Sequence, residues 1–306
     1  MNVKVPIVGV NYKDMDIVDL RGPRHPEYND AADLSKHIRV ALSKIPSTEY
    51  PADLKKDLCT LPHNLPKQPF YNQLKYLVRD FVSFYFKRKT CSYSIYEERY
   101  ESIALLADII PLKYNGKRVL GYNSYARLEC LSHVAALSEE IPYAQILEVG
   151  CGSGLNMFLL NYMYPHMKIY GFEFTNSRFA SALINLSDTE MNGNLFLADV
   201  TNIPLHDNPY DVIFSFHVLE QLGQEGAVKA LKEMWRLCRR GVVSDEPGVQ
   251  NASLWETMRL KKLGYCRNLL EVAEELPGCS IKYNGESSCR SWPNTSNILV
   301  LKKQSE

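Results

Sequence analysis

From residue 124 to residue 302 the sequence alternates strand-like and helix-like segments, and no other feature restricts the fold as much. Strand candidates rich in branched and aromatic residues stand at 145–149, 168–173, 194–198, 211–216, 240–244, 279–283 and 297–302. Helical stretches fall between them at 154–163, 176–187, 224–238 and 252–275. Strands joined through helices are not hairpins. They lie side by side in parallel, with the helices covering both faces. The pattern predicts an α/β, Rossmann-like, doubly wound and mainly parallel seven-stranded sheet. The last two strand candidates have no helix between them, so the last strand is expected to run antiparallel, as a hairpin at one edge. Ser124 can cap a further helix running to about Ser138, with Tyr125, Leu128, Leu131, Val134 and Leu137 near one stripe.

The text before residue 120 is different, and divides the chain into 1–120 and 121–306. Pro46, Pro51, Pro62, Pro66 and Pro69 mark an extended connection. Residues 71–86 place Tyr71, Leu74, Leu77, Val78, Phe81 and Tyr85 on one helical face, and 94–110 reads as a second helix. The expectation is a mainly helical N-terminal extension. Its tyrosines, Tyr85, Tyr93, Tyr96 and Tyr100, suit either packing between helices or the lining of a lid.

Composition excludes some classes. Lys and Arg total 35, and so do Asp and Glu, so the basic excess that neutralises nucleic-acid phosphates is missing. Hydrophobic residues make up 45%, enough for a sizeable core. The eight cysteines form no CxxC pair, which disfavours a zinc ribbon and suits reduced, buried thiols. No apolar run reaches the ~18 residues of a membrane span. The opening MNVKVPIVGVNYKDMD lacks a signal peptide's apolar core, so a cytoplasmic location is expected.

The segment ILEVGCGSGLNMF, 146–158, joins a strand to a helix through Gly150, Gly152 and Gly154. A glycine turn leading into a helix lets the backbone approach a ligand. A P-loop would need a Lys after the glycines, and none is there. The dinucleotide fingerprint GxGxxG would put its third glycine at 155, which is Leu.

The segment from Glu148 to Gly154 instead resembles motif I of the class I S-adenosylmethionine-dependent methyltransferases, (E/D)xGxGxG. Glu173 ends the second strand (KIYGFE), Asp199 follows the third (NLFLAD), and YDVIFSFHVLE at 210–220 is similar to the family's fourth strand and its continuation. The resemblance covers about 124–302. It implies S-adenosylmethionine as cofactor and S-adenosylhomocysteine as product. Gly150, Cys151, Gly152 and Gly154 would lie along the methionine and ribose portions, and Glu148 would orient the turn or reach the ammonium. Glu173 would accept both ribose hydroxyls. Asp199 and the Val200 amide would meet the adenine, with Phe174 and Phe216 beside the ligand, and Arg127 would pair with the methionine carboxylate. The acid corresponding to Asp211 is structural in the family.

Acceptor-side groups in this architecture come from the carboxyl ends of strands four and five. There stand His217, the first candidate for a general base, and Glu246, a second catalytic candidate beside Asp245. No ligand pattern demands a metal. Trp255, Met258 and Tyr265, in the 251–275 segment, are candidate pocket walls. The expected activity is methyl transfer to oxygen or nitrogen of a small-molecule acceptor, such as a sugar or natural-product intermediate, by a protein that can form a homodimer and has no membrane partner. A protein or RNA methyltransferase and a non-catalytic scaffold are the rival readings. The [DN]PP[YFW] motif of many nucleic-acid enzymes is absent after strand four, where SFHVLE stands.

Overall fold

The computed structural model describes residues 56–62, 64–69, 78, 106, 108–187, 194–203, 205–248, 252, 254–265, 269–291 and 295–304. The expected helix at 71–86, apart from Val78, and the N-terminal tyrosines lie outside the described residues. The end of the expected second helix does not: Ile109 and Ile110 open strand β1 (Ile109–Tyr114), which turns at Asn115 and Gly116 into β2 (Lys117–Tyr122). Both turn residues have positive φ, 46° and 76°. This is the Asn-Gly hairpin that matches strand twist, and it outweighs the helical periodicity of the residues before it. The division expected near residue 120 therefore falls inside a strand.

A single turn of 3-10 helix at Asn123–Ala126 leads into helix α1 (Leu128–Ser138). The alternation follows: β3 (Gln145–Val149), α2 (Leu155–Met163), β4 (Lys168–Glu173), α3 (Asn176–Ser187), β5 (Asn194–Leu197), β6 (Tyr210–Phe216), α4 (Gly223–Leu237) and β7 (Cys238–Glu246). The helix expected over 252–275 is divided into α5 (Leu254–Leu263) and α6 (Leu269–Glu274), because α5 stops at Gly264. Strands β8 (Cys279–Glu286), β9 (Cys289–Ser291) and β10 (Asn297–Lys303) complete the described elements.

The main sheet has seven strands in the order β5-β4-β3-β6-β7-β10-β8. Strands β5, β4, β3, β6 and β7 are parallel. Strand β10 runs antiparallel between β7 and β8. Strand β9 leaves this sheet and pairs with β1 in a three-stranded sheet with β2. One face of the main sheet packs Ile146, Phe214 and Val243 against α1, α2 and α3. The other packs Leu147, Ile213 and Val242 against α4 and α6. Adjacent strand residues point to opposite faces, so this division predicts where each strand-end side chain goes. Cys59, Cys130, Cys151, Cys238, Cys279 and Cys289 are free thiols. Among the described residues no helix is long and apolar enough to cross a membrane.

Asp211 holds the sheet together away from its carboxyl edge. Its Oδ2 accepts from the Gln145 amide at 2.8 Å, fixing the start of β3 against β6, and its Oδ1 lies 3.0 Å from Arg239 Nε. Asp211→Ala leaves that amide without its acceptor and is expected to lower stability by about 1–3 kcal/mol, read from urea unfolding midpoints at unchanged m-value.

Candidate functional site

The parallel strands all end at one edge of the sheet, and the glycine turn lies there. Gly150, Gly152 and Gly154 have φ of +61°, +57° and +77°. The Cys151 amide donates to Phe172 O at 2.9 Å and the Gly154 amide to Cys151 O at 2.8 Å, which closes the turn before α2 starts at Leu155. A methyl group added at Gly150 would lie 2.7 Å from Val218 Cγ2, so only glycine lets the loop after β6 come this close.

Glu173, at the end of β4, ties the turn to the next strand. Its Oε2 accepts from the Gly152 amide at 2.8 Å. Its Oε1 accepts from the amides of Phe174 (2.9 Å) and Thr175 (3.0 Å) and from the Thr175 hydroxyl (3.0 Å). Beyond it opens a cleft of about 350 Å³. Of the residues expected from the sequence, Gly150, Glu173, Phe174, Asp199, Val200, Phe216 and His217 line it. Asp199 is oriented by Thr201, whose amide and hydroxyl both donate to its Oδ1 at 2.8 Å. Gln221, which follows strand four with His217, also lines the cleft, and sequence reasoning missed Thr175, Arg178, Thr201, Val218 and Leu222 there. Arg178 had a signal: it stands in the first turn of the helix after β4, where a side chain can swing toward the glycines. Arg127, Glu148, Cys151, Gly152, Gly154 and Glu246 do not line the cleft. Cys151 is buried against Gly171, and burial pushes its thiol well above the ordinary range.

Behind the cleft, on the α1 face, alternation brings Glu148, Phe216 and Asp245 together. Arg127 covers them from the start of α1. Its guanidinium carbon lies 5.0 Å from the centre of the Phe216 ring, and its Nη1 donates to Asn123 O at 2.7 Å and Asn123 Oδ1 at 2.6 Å. Glu148 Oε1 accepts from Asn156 Nδ2 at 2.6 Å. Asp245 Oδ1 accepts from the Ser296 hydroxyl. In this group Arg127 Nε, Glu148 Oε2, Asn156 Oδ1 and Asp245 Oδ2 are buried without a hydrogen-bond partner among the described residues. Burial pushes Glu148 up to about 8 against the pull of Asn156 and Arg127, and pushes Asp245 up to about 6 against His217 and Ser296. Burial also lowers Arg127 to about 10, with Glu148 acting in the opposite sense.

Glu246 is one residue on and so faces the α4 side. There its Oε1 accepts from the Ser215 hydroxyl (2.9 Å) and the Val218 amide (3.1 Å), and its Oε2 from the Glu220 amide (3.1 Å). It is 3% exposed, and it organises the 3-10 turn Leu219–Leu222 instead of facing a ligand. That corrects the catalytic role expected for it. His217 has φ of +57°, donates its amide to Asp245 O at 2.9 Å, and accepts at its carbonyl from Gln221 Nε2 at 2.9 Å. Its Nδ1 lies 3.2 Å from Glu220 Oε2. Burial alone would lower its pKa, but Glu220, joined by Asp245 and Glu246, outweighs burial and lifts it to about 9. The neighbouring acids thus favour the protonated ring, the form with no lone pair to accept a proton. Among the described residues no group of three His, Cys, Asp or Glu side chains is placed to hold a metal ion.

Residues 146–241 match the sequence profile of a family described as a methyltransferase domain. No curated protein is significantly similar in sequence. Among solved structures, magnesium protoporphyrin IX methyltransferase from Synechocystis PCC 6803 with bound S-adenosylhomocysteine is similar at 15% identity and a TM-score of 0.48, over 77% of this chain and 97% of that one. The PH0226 protein from Pyrococcus horikoshii OT3 is similar at 14% identity and a TM-score of 0.47, over 60% of this chain and 93% of that one.

The buried groups give a signed pH dependence in the cofactor-free protein. Asp245 (about 6), Glu246 (about 7), Glu148 (about 8) and His217 (about 9) all hold their protons more tightly folded than unfolded. Their unfolded values lie at about 4 for the carboxyls and about 6.5 for histidine. Each contribution is complete below the unfolded value and is lost as pH rises through the folded one. Stability should therefore fall from about pH 5 to about pH 9, as read by urea unfolding across that range. A rise would contradict the shifts.

Proposed function

We propose that the protein transfers the methyl group of S-adenosylmethionine to nitrogen or oxygen of a small-molecule acceptor. The observation that carries the cofactor's placement is the pair of orphaned atoms on the α1 face, Arg127 Nε and Glu148 Oε2. A guanidinium nitrogen and a carboxyl oxygen, both buried and each one hydrogen bond short, are complementary to the carboxylate and ammonium of a methionine tail, and the ammonium would favour the ionised form of Glu148. The cleft continues that reading. Glu173 suits the ribose hydroxyls, Asp199 and the Val200 amide suit an adenine edge, and Phe174 and Phe216 supply apolar walls. The glycine turn, with no side chain at Gly150, leaves room for the ligand to lie against backbone.

The bound cofactor supplies an electrophilic methyl group on a sulfonium. The chain's own part is to bind, orient and exclude water. Glu173 holds the turn rigid through the Gly152 amide, and Glu246 holds the Leu219–Leu222 turn that closes one side of the cleft. Orientation of this kind carries much of the rate in a transfer between two bound partners. A small-molecule acceptor is favoured over nucleic acid by the balance of 35 basic against 35 acidic residues.

Calorimetry with S-adenosylhomocysteine tests the reading. Binding is expected at sub-millimolar concentration, and none would sink it. Arg127→Met and Glu148→Gln each remove one charge-assisted hydrogen bond, worth about 1.5–3 kcal/mol, and should weaken binding by about tenfold or more. Wild-type affinity in both folded variants would remove the tail from the α1 face.

A further inference from the structure

We infer that Asp245 is a binding group for the acceptor and that it takes an amine, held through its N–H donors. The inference rests on the S-adenosylmethionine reading and extends it to the substrate's chemical class.

The argument is a matching of buried charges at the carboxyl edge. His217 faces Glu220 at 3.2 Å. Glu246 is satisfied by two amides and a hydroxyl, and Glu173 by three amides and a hydroxyl. Arg178 lies on the cleft side, its guanidinium against Gly152. That leaves, on the α1 face, Arg127 with two acidic side chains, Glu148 and Asp245, the second of which also feels His217 and Ser296. A zwitterionic tail brings one negative and one positive group. It takes Arg127 and one carboxylate, and Glu148, on the strand that leads into the glycine turn, is the nearer in sequence to that turn. Asp245 is then the carboxylate left over.

Asp245 is fully buried, yet its Oδ2 has no hydrogen-bond partner among the described residues. A buried carboxylate oxygen left in that state is unfavourable unless a ligand supplies the missing donor. Asp245 does not itself line the cleft, but its backbone is held to two residues that do. It pairs in register with Phe216, and its carbonyl accepts from the His217 amide, and both of those residues line the cleft. An anionic acceptor would set a second negative charge beside Asp245. A hydroxyl would supply the hydrogen bond without the charge. An amine supplies both.

Methylammonium is the probe. With the protein saturated in S-adenosylhomocysteine, methylammonium chloride is compared with sodium chloride and choline chloride at equal ionic strength. Choline is cationic but has no N–H donor. The expected result is a saturable rise in thermal midpoint of ~2 °C or more beyond both controls, abolished by Asp245→Asn. A wild-type response no larger than either control overturns the proposal, whether or not the variant folds. So does a variant that retains the response. Calorimetry of S-adenosylhomocysteine on the same wild-type sample separates the two readings. Cofactor binding without a methylammonium effect defeats only the amine, whereas no cofactor binding defeats the reading beneath it.

Discussion

The carboxylate of Glu173 is the interaction on which the site depends. It stands at the end of β4, reaches sideways to the Gly152 amide, and accepts the next two backbone amides of its own chain. A turn of three left-handed glycines is entropically costly and has no side chains to pack. It keeps its shape because this buried acid and the Cys151 amide bond to Phe172 bind it to β4 from two directions. The cleft wall, the start of α2 and the approach of Val218 to Gly150 all follow from that attachment. A ribose-binding acid in this position would have a second role, because the same carboxylate builds the turn that the ligand rests on.

The rest of the edge follows a simple rule of strand geometry. Asp245 and Glu246 are adjacent in sequence and end up on opposite faces of the sheet. One is left with an unpaired oxygen beside Arg127 and Phe216, and the other is used up by backbone amides. A pair of acids at a strand end is thus two different objects, one available to chemistry and one part of the scaffold.

Much of this was legible in the sequence. The strands at 145–149 and 168–173 and the helix at 176–187 were placed to the residue, because period-two and helical patterns there are bounded by Gly and charged residues. The glycine turn with Glu173, Asp199 and the fourth strand located the cleft. Other features were hidden for physical reasons. The β1–β2 hairpin was obscured by an apolar run, SIALLADII, that also suits a helix, although Asn115-Gly116 was the better guide. The assignment of Glu246 to catalysis failed because residue type says nothing about which face a strand end presents until the register is known. The state of His217 depends on Glu220, Asp245 and Glu246 converging from a turn and the end of β7, which no local pattern records.

The strand order has a consequence for how the protein is made. Strand β10 follows β8 and β9 in the chain yet is inserted between β7 and β8, and β9 crosses to pair with β1, far earlier in the chain. Neither sheet can close while the ribosome still holds residues 289–303. Until then β7 presents an open edge to the cell, with the row of unpaired backbone groups that invites pairing with a stranger. The protein is therefore most exposed to misassembly between the synthesis of β7 and that of β10, when the parallel half of the sheet is already built.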